Sequence, residues 1–229
     1  LAGSEGTLAV VTEATVSLEP VPETKSVALL TYDSVVDTVS DVVHVLEHDP
    51  AAVELIDDVL IELAADTSEF ADVVAKLPDR TEAALLVEFY AEDDDAGREK
   101  VQQLLADRVP DRGEVDADSA TEGDDEATAD PDRYAFDALE AHDDDDRAEL
   151  WKLRKSGLPI LLGRTSDAKH ISFLEDCAVP PEHLPRFVTE FQSILEEHDT
   201  FAAFYAHAGP GVLHVRPLVN TKSQTDLDA

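Results

Sequence analysis

The residues best suited to chemistry in this 229-residue chain are His207, His214, Arg154 and Arg216. Residues 201–208 and 212–217 alternate as strands around Gly209-Pro210-Gly211, which reads as a hairpin. With Pro210 and Gly211 at the tip, position 207 falls opposite position 214. Directly opposed side chains have Cβ atoms about 4.5–5.5 Å apart, a separation at which two imidazoles chelate one metal ion. Zinc suits such ligands and acts as a Lewis acid. The plainer alternative is two strand histidines with hydrogen-bonded side chains. Alternation puts Tyr205 beside His207 and Arg216 beside His214, so this register gathers both rings and Arg216 into a cationic patch. L-Pro disfavours the usual two-residue hairpin turns, and a slip of one residue would send the histidines to opposite faces.

Arg154 closes a helical stretch, where a cation is favoured by the helix dipole; its other reading is a bidentate clamp on a carboxylate. Glu175 and Asp176 read as a general base or as carboxylates supporting one, with alternation turning one of them to solvent. Cys177 has no basic neighbour in sequence and reads as a small buried hydrophobe. The aspartates at 143–146 lack the Gly and Glu spacing of a calcium loop and read as a solvated face.

These groups need elements to hold them. Residues 8–18 alternate and are rich in Val and Thr, which predicts a strand, and Pro20 and Pro22 mark a linker. A strand over 26–32 is followed by a helix that Ser34 caps. The stretch 51–63 fits either a strand about Glu54 or a helix. A helix over 68–77, a strand over 83–92 and a helix over 96–109 come next. Residues 111–133 read as an acidic loop. Tyr134, Phe136 and Leu139 read as the start of a helix running to Lys155, where Gly157 and Pro159 stop it. A strand over 170–179, a helix over 181–198 and the hairpin complete the order, and 223–229 reads as a frayed tail. That order predicts an α+β fold of ferredoxin-like units, an antiparallel or mixed sheet with helices on one face.

Composition narrows the class. The chain holds 52 Asp plus Glu against 17 Lys plus Arg, a formal charge of −35. Such a polyanion is a poor ligand for nucleic acid or anionic lipid, which need basic contacts. Runs such as 27–32 and 84–90 supply a core and argue against disorder, so the charge reads as the acidic surface of a halophilic protein. The one cysteine cannot form an internal disulfide, no membrane span or signal peptide is visible, and a cytoplasmic site is expected. The chain lacks Met and opens on Leu1, which reads as a piece of a longer protein.

Three segments resemble FAD-linked oxidases of the vanillyl-alcohol oxidase type, the group of glycolate oxidase, D-lactate dehydrogenase and D-2-hydroxyglutarate dehydrogenase. They are Gly3-Ser4-Glu5-Gly6-Thr7-Leu8 with Val11-Thr12; Trp151-Lys152-Leu153-Arg154 with Glu175-Asp176-Cys177-Ala178-Val179-Pro180; and His207-Ala208-Gly209-Pro210-Gly211-Val212-Leu213-His214. The third is similar to a His-x-Gly-Asp-Gly-Asn-x-His signature, with Pro210 for Asp and Val212 for Asn. Its continuation through Arg216-Pro217 resembles the subgroup fused to an iron-sulfur module.

The resemblance implies that 1–22 are the end of an FAD-binding domain and that 23–222 form the substrate-side cap. It implies flavin contacts from Gly3, Ser4, Gly6, Thr7 and Val11. In the full-length protein it implies oxidation of a D-2-hydroxyacid, with His207 and His214 deprotonating the hydroxyl, with or without a divalent metal. Arg154 or Arg216 then holds the carboxylate. An inactive isolated piece without FAD is expected, partnered in the whole protein by the FAD-binding domain and an iron-sulfur module. The alternative is a non-catalytic α+β interaction module that keeps the cap architecture.

Overall fold

The computed structural model describes residues 6–18, 20–110, 134–172 and 174–228. Strand β1 (Thr24–Tyr32) is apolar on both sides, and it runs into α1 (Val35–Leu46), whose N-cap Ser34 accepts from the Asp37 N–H. The ambiguous stretch resolves into β2 (Ala52–Asp57) followed at once by α2 (Asp58–Ala65), since the Asp57 side chain caps the helix by accepting from the Leu60 N–H. The helix expected before Pro78 shortens to α3 (Ala71–Val74). Then come β3 (Ala83–Ala91) and α4 (Asp94–Arg108).

Where one long helix was expected, the chain forms β4 (Asp137–Ala141) and then α5 (Asp144–Lys155). The boundary is chemical: Asp143 caps α5 by accepting from the Asp146 N–H, and β4 has β1 to pair with. Gly157 and Pro159 do not end structure but begin α6 (Gly157–Leu162). The strand expected over 170–179 divides into β5 (Lys169–His170) and β6 (Leu174–Ala178). A 3-10 turn (Pro181–His183) leads into α7 (Leu184–Glu197), then β7 (Ala202–His207) and β8 (Val212–Val219). The tail expected to fray carries a short helix, α8 (Gln224–Asp228).

The strands form one sheet in the order β4-β1-β3-β2-β7-β8-β5, with β6 also on β8, and the pairings among the described residues are all antiparallel. The order β4-β1-β3-β2 with α1 and α4 as crossovers is a ferredoxin-like unit. A smaller version follows, in which β6 and β7 flank β8 and α7 makes the crossover.

The α+β class and antiparallel sheet match the sequence reading, but helices cover both faces rather than one. Ala28, Leu30 and Tyr32 share a buried cluster with Val39 and Val42 of α1, Leu104 of α4 and Val188 of α7. Val27 and Leu29 share another with Leu60 of α2, Val73 of α3 and Leu153 of α5. Central strands that are apolar on both sides require two covering layers. The second layer thins over β7 and β8, where, among the described residues, Leu161 of α6 and Val59 and Leu63 of α2 are the apolar side chains clustered with Ala203 and Tyr205.

Residues 8–18 form no strand, and Leu8, Val10, Val16 and Leu18 are exposed. Alternation alone makes no strand without a neighbour to take its N–H and C=O groups. The acidic loop 111–133, Gly3 and Ser4 lie outside the described residues. Among the described residues no helix is long and apolar enough to cross a membrane.

Candidate functional site

The thin part of the second layer exposes a polar cluster built from four strands and one helix. On β2, Glu54 sits directly opposite His207 of β7. Its two carboxylate oxygens lie 2.9 and 3.0 Å from His207 Nδ1. From above, α5 delivers Arg154, whose Nη2 is 2.8 Å from Glu54 Oε2. Three aspartates in the first turn of α5 and Lys152, Arg154 and Lys155 in the last match its dipole. The helix docks through buried Leu150 and Leu153. Trp151 adds a polar anchor by donating Nε1–H to Glu88 Oε2 at 2.7 Å. One helix therefore meets two buried carboxylates, Glu88 and Glu54, with side chains three positions apart.

A matching half is built on β6 and β8. Glu175 Oε2 lies 2.6 Å from His214 Nδ1, and its Oε1 lies 2.5 Å from Arg216 Nη2. The strand bulges between Leu174 and Cys177, and Asp176 takes a positive φ of 51°. Glu175 thereby turns toward the cluster while Asp176 is largely exposed, 3.8 Å from His214 Nε2. Each half thus has one carboxylate shared between an arginine and a histidine.

Tyr205 lies between the halves. Its ring stacks on His214 at 4.6 Å, the Cζ atoms of Arg154 and Arg216 both lie 5.3 Å from its centroid, and its Oη accepts from Arg216 Nε at 2.6 Å. The two histidine rings meet edge to face, with centroids 5.5 Å apart.

The arginines are buried, Arg154 to 7% exposure and Arg216 to 3%. Burial pulls the Arg154 pKa below its usual value, with Glu54 pulling the other way. Arg154 Nε and Nη2 and Arg216 Nη1 are buried without a hydrogen-bond partner. Arg154 Nη2 is close to Glu54 as a charge, but its N–H bonds are misdirected for a hydrogen bond. Unpaired buried donors are costly in a folded protein, and guanidinium groups match carboxylate geometry. A carboxylate against Nδ1 makes that nitrogen the protonated one, so in each neutral ring Nε2 holds the lone pair.

His207, His214, Arg154 and Arg216 do share one side of the sheet. The register differs from the expected one: His207 pairs with Val212 and Tyr205 with His214. The turn spans 208–211 and is closed by the Gly211 N–H bonding to the Ala208 carbonyl at 3.0 Å. It leaves two more residues unpaired than a Pro-Gly tip would, and a shift of two preserves the face. Gly6, Thr7 and Val11 are exposed in the N-terminal stretch, and a Cβ placed on Gly6 would have nothing within 4 Å. No group of three or more His, Cys, Asp or Glu suited to a metal occurs among the described residues. Sequence reasoning passed over Glu54; a carboxylate inside the apolar run Val53-Glu54-Leu55-Ile56 was the available signal.

Residues 21–229 match the family described as FAD linked oxidases, C-terminal domain. The chain is 29% identical over 227 residues to D-2-hydroxyglutarate dehydrogenase of Pantoea ananatis, covering 96% of this chain and 20% of that protein. It is 28% identical over 229 residues to glycolate oxidase subunit GlcD of Bacillus subtilis, covering 99% of this chain and 42% of that protein. Among solved structures, an alkyldihydroxyacetonephosphate synthase shares the fold with a TM-score of 0.50 at 14% identity, over 94% of this chain and 40% of that one. The chain therefore spans a fifth to about two fifths of these curated relatives.

Proposed function

Since the chain belongs to the C-terminal domain family of the FAD linked oxidases, we propose that it forms the substrate side of an enzyme that oxidises a D-2-hydroxyacid to the 2-oxoacid. The observation that carries this reading is the pair of buried arginines with unpaired N–H groups beside two imidazoles, on a molecule of net charge −35. Arg154 and Arg216 hold the carboxylate of the substrate. His207 and His214 present Nε2 lone pairs to the α-hydroxyl, and the ring that takes its proton is stabilised as an imidazolium by Glu54 or Glu175. FAD, when bound, accepts the hydride from the α-carbon. The relatives named above are D-2-hydroxyglutarate dehydrogenase and glycolate oxidase, which supports this substrate class.

Residues 1–22 are assigned to the end of the FAD-binding domain, and 23–222 to the cap. Every role above belongs to substrate binding and proton transfer. A divalent metal would use the two Nε2 atoms, but a catalytic zinc takes three protein ligands, and no step here runs through a metal. The greater length of the relatives leaves room for an FAD-binding domain and an iron-sulfur module.

Anaerobic mixing of the full-length flavoprotein with D-lactate, glycolate or D-2-hydroxyglutarate tests the reading. Bleaching of the flavin by at least one is expected, with Arg154→Ala raising KM about a hundredfold. No bleaching by any 2-hydroxyacid would favour the non-catalytic interaction module.

A further inference from the structure

Tyr205 does more than fill the space between two ion pairs. It is 7% exposed, and among the described residues its side chain makes one hydrogen bond, which its Oη accepts from Arg216 Nε at 2.6 Å. A phenol oxygen has two in-plane positions, one of which Arg216 fills. The phenolic proton occupies the other, and no acceptor for it is found among the described residues. Arg216 is held in turn by Glu175 through Nη2, while its Nη1 is buried without a partner. The carboxylates of Glu54 and Glu175 are turned to histidine and arginine, and no carboxylate among the described residues meets the phenol. Accepting a hydrogen bond from a cation also makes the phenol a stronger donor.

We propose that Tyr205 is a substrate-binding residue whose O–H donates to the carboxylate of the 2-hydroxyacid, alongside the free Nη1 of Arg216. Burial pushes the phenol pKa up, with Arg216 opposing, so the proton stays on the oxygen across the neutral range. The ring face is not the contact, because His214 stacks on it. The inference rests on the 2-hydroxyacid reading above and adds to it a residue that touches the anion. Because the bond is made in the bound ground state as in the transition state, its loss alters KM and leaves kcat nearly unchanged.

The test uses the full-length flavoprotein and its Tyr205→Phe variant, with Tyr90→Phe as a control outside the site. Calorimetric titration with pyruvate and 2-oxoglutarate measures binding without turnover, and steady-state rates with the best 2-hydroxyacid give KM and kcat. Tyr205→Phe should weaken binding of the oxoacid and raise KM, each about tenfold, with kcat within about twofold. Arg216→Lys, which keeps the charge but cannot reproduce the Nε bond, should shift KM in the same direction. Equal oxoacid binding by wild type and Tyr205→Phe overturns the proposal, as does a lowered kcat at unchanged KM. If neither oxoacid binds wild type and no 2-hydroxyacid is oxidised, the functional reading itself fails and this inference fails with it.

Discussion

Two buried carboxylates, Glu54 and Asp57, organise the site from the same strand in different ways. Glu54 neutralises Arg154 and fixes His207 Nδ1. Glu54→Gln leaves a buried guanidinium without its counter-charge, and removing one partner of such a pair costs about 3 kcal/mol. A urea midpoint unchanged from wild type would refute this. Asp57 is 1% exposed; it accepts from the N–H groups of Leu60 and Phe204 and so ties the start of α2 to β7. Burial raises its pKa from 3.8 to about 8, although both N–H donors pull it down. The folded value lies above the unfolded one, so the native state binds this proton more tightly. Its contribution is full below about pH 4 and declines as pH rises through about 8. Asp57→Ala removes a cap and strands two buried donors, at a cost of about 3 kcal/mol near pH 5. The stability gap between wild type and Asp57→Ala should narrow toward pH 8; denaturation at both pH values measures it, and a constant gap would exclude the mechanism.

The hairpin of β7 and β8 and the docked helix α5 set the positions of the reactive groups. Gly211 closes the hairpin turn at φ +72°, and an added Cβ would stand 1.9 Å from the Val179 carbonyl oxygen. Gly211→Ala should cost roughly 2–4 kcal/mol through left-handed strain and the clash. Because β6 is displaced with Val179, substrate KM should rise in the same variant. Thermal melts and kinetics of the whole protein would show both effects. Trp151 anchors α5 on Glu88 three positions before Arg154. Trp151→Phe keeps most of the apolar contact and removes the donor, so about 1–3 kcal/mol of stability should be lost. KM should again rise more than kcat falls, and unchanged kinetics would show that Arg154 is held by Glu54 alone.

At the scale of the molecule, the charge of −35 is repelled in dilute buffer and screened in concentrated salt, where the Debye length falls to about 3 Å at 1 M. The melting midpoint of this chain should rise by several degrees from low-salt buffer to molar KCl. A midpoint flat across the series would remove the case for a halophilic surface. Within that anionic field Glu54 balances Arg154 and Glu175 balances Arg216, so the cluster is locally neutral and an anionic substrate meets less repulsion there than over the rest of the molecule.

Local pattern alone determined much of this protein. Alternation in 201–208 and 212–217 indicated the hairpin, and Ser34 and Pro181 marked helix starts. Parity put His207 with Tyr205 and His214 with Arg216, and it survived the error in register because a shift of two residues changes neighbours and not faces. Tertiary structure decided what depends on a partner far away in sequence. Residues 8–18 alternate like a strand but find no neighbour, whereas Asp137–Ala141, read as part of a helix, pairs with β1. Glu54 became part of the site because β2 lies beside β7, 153 positions away from His207 in the chain, and because α5 crosses above it. A sequence lists its carboxylates, but desolvation and the choice of cationic partner are properties of the packed sheet.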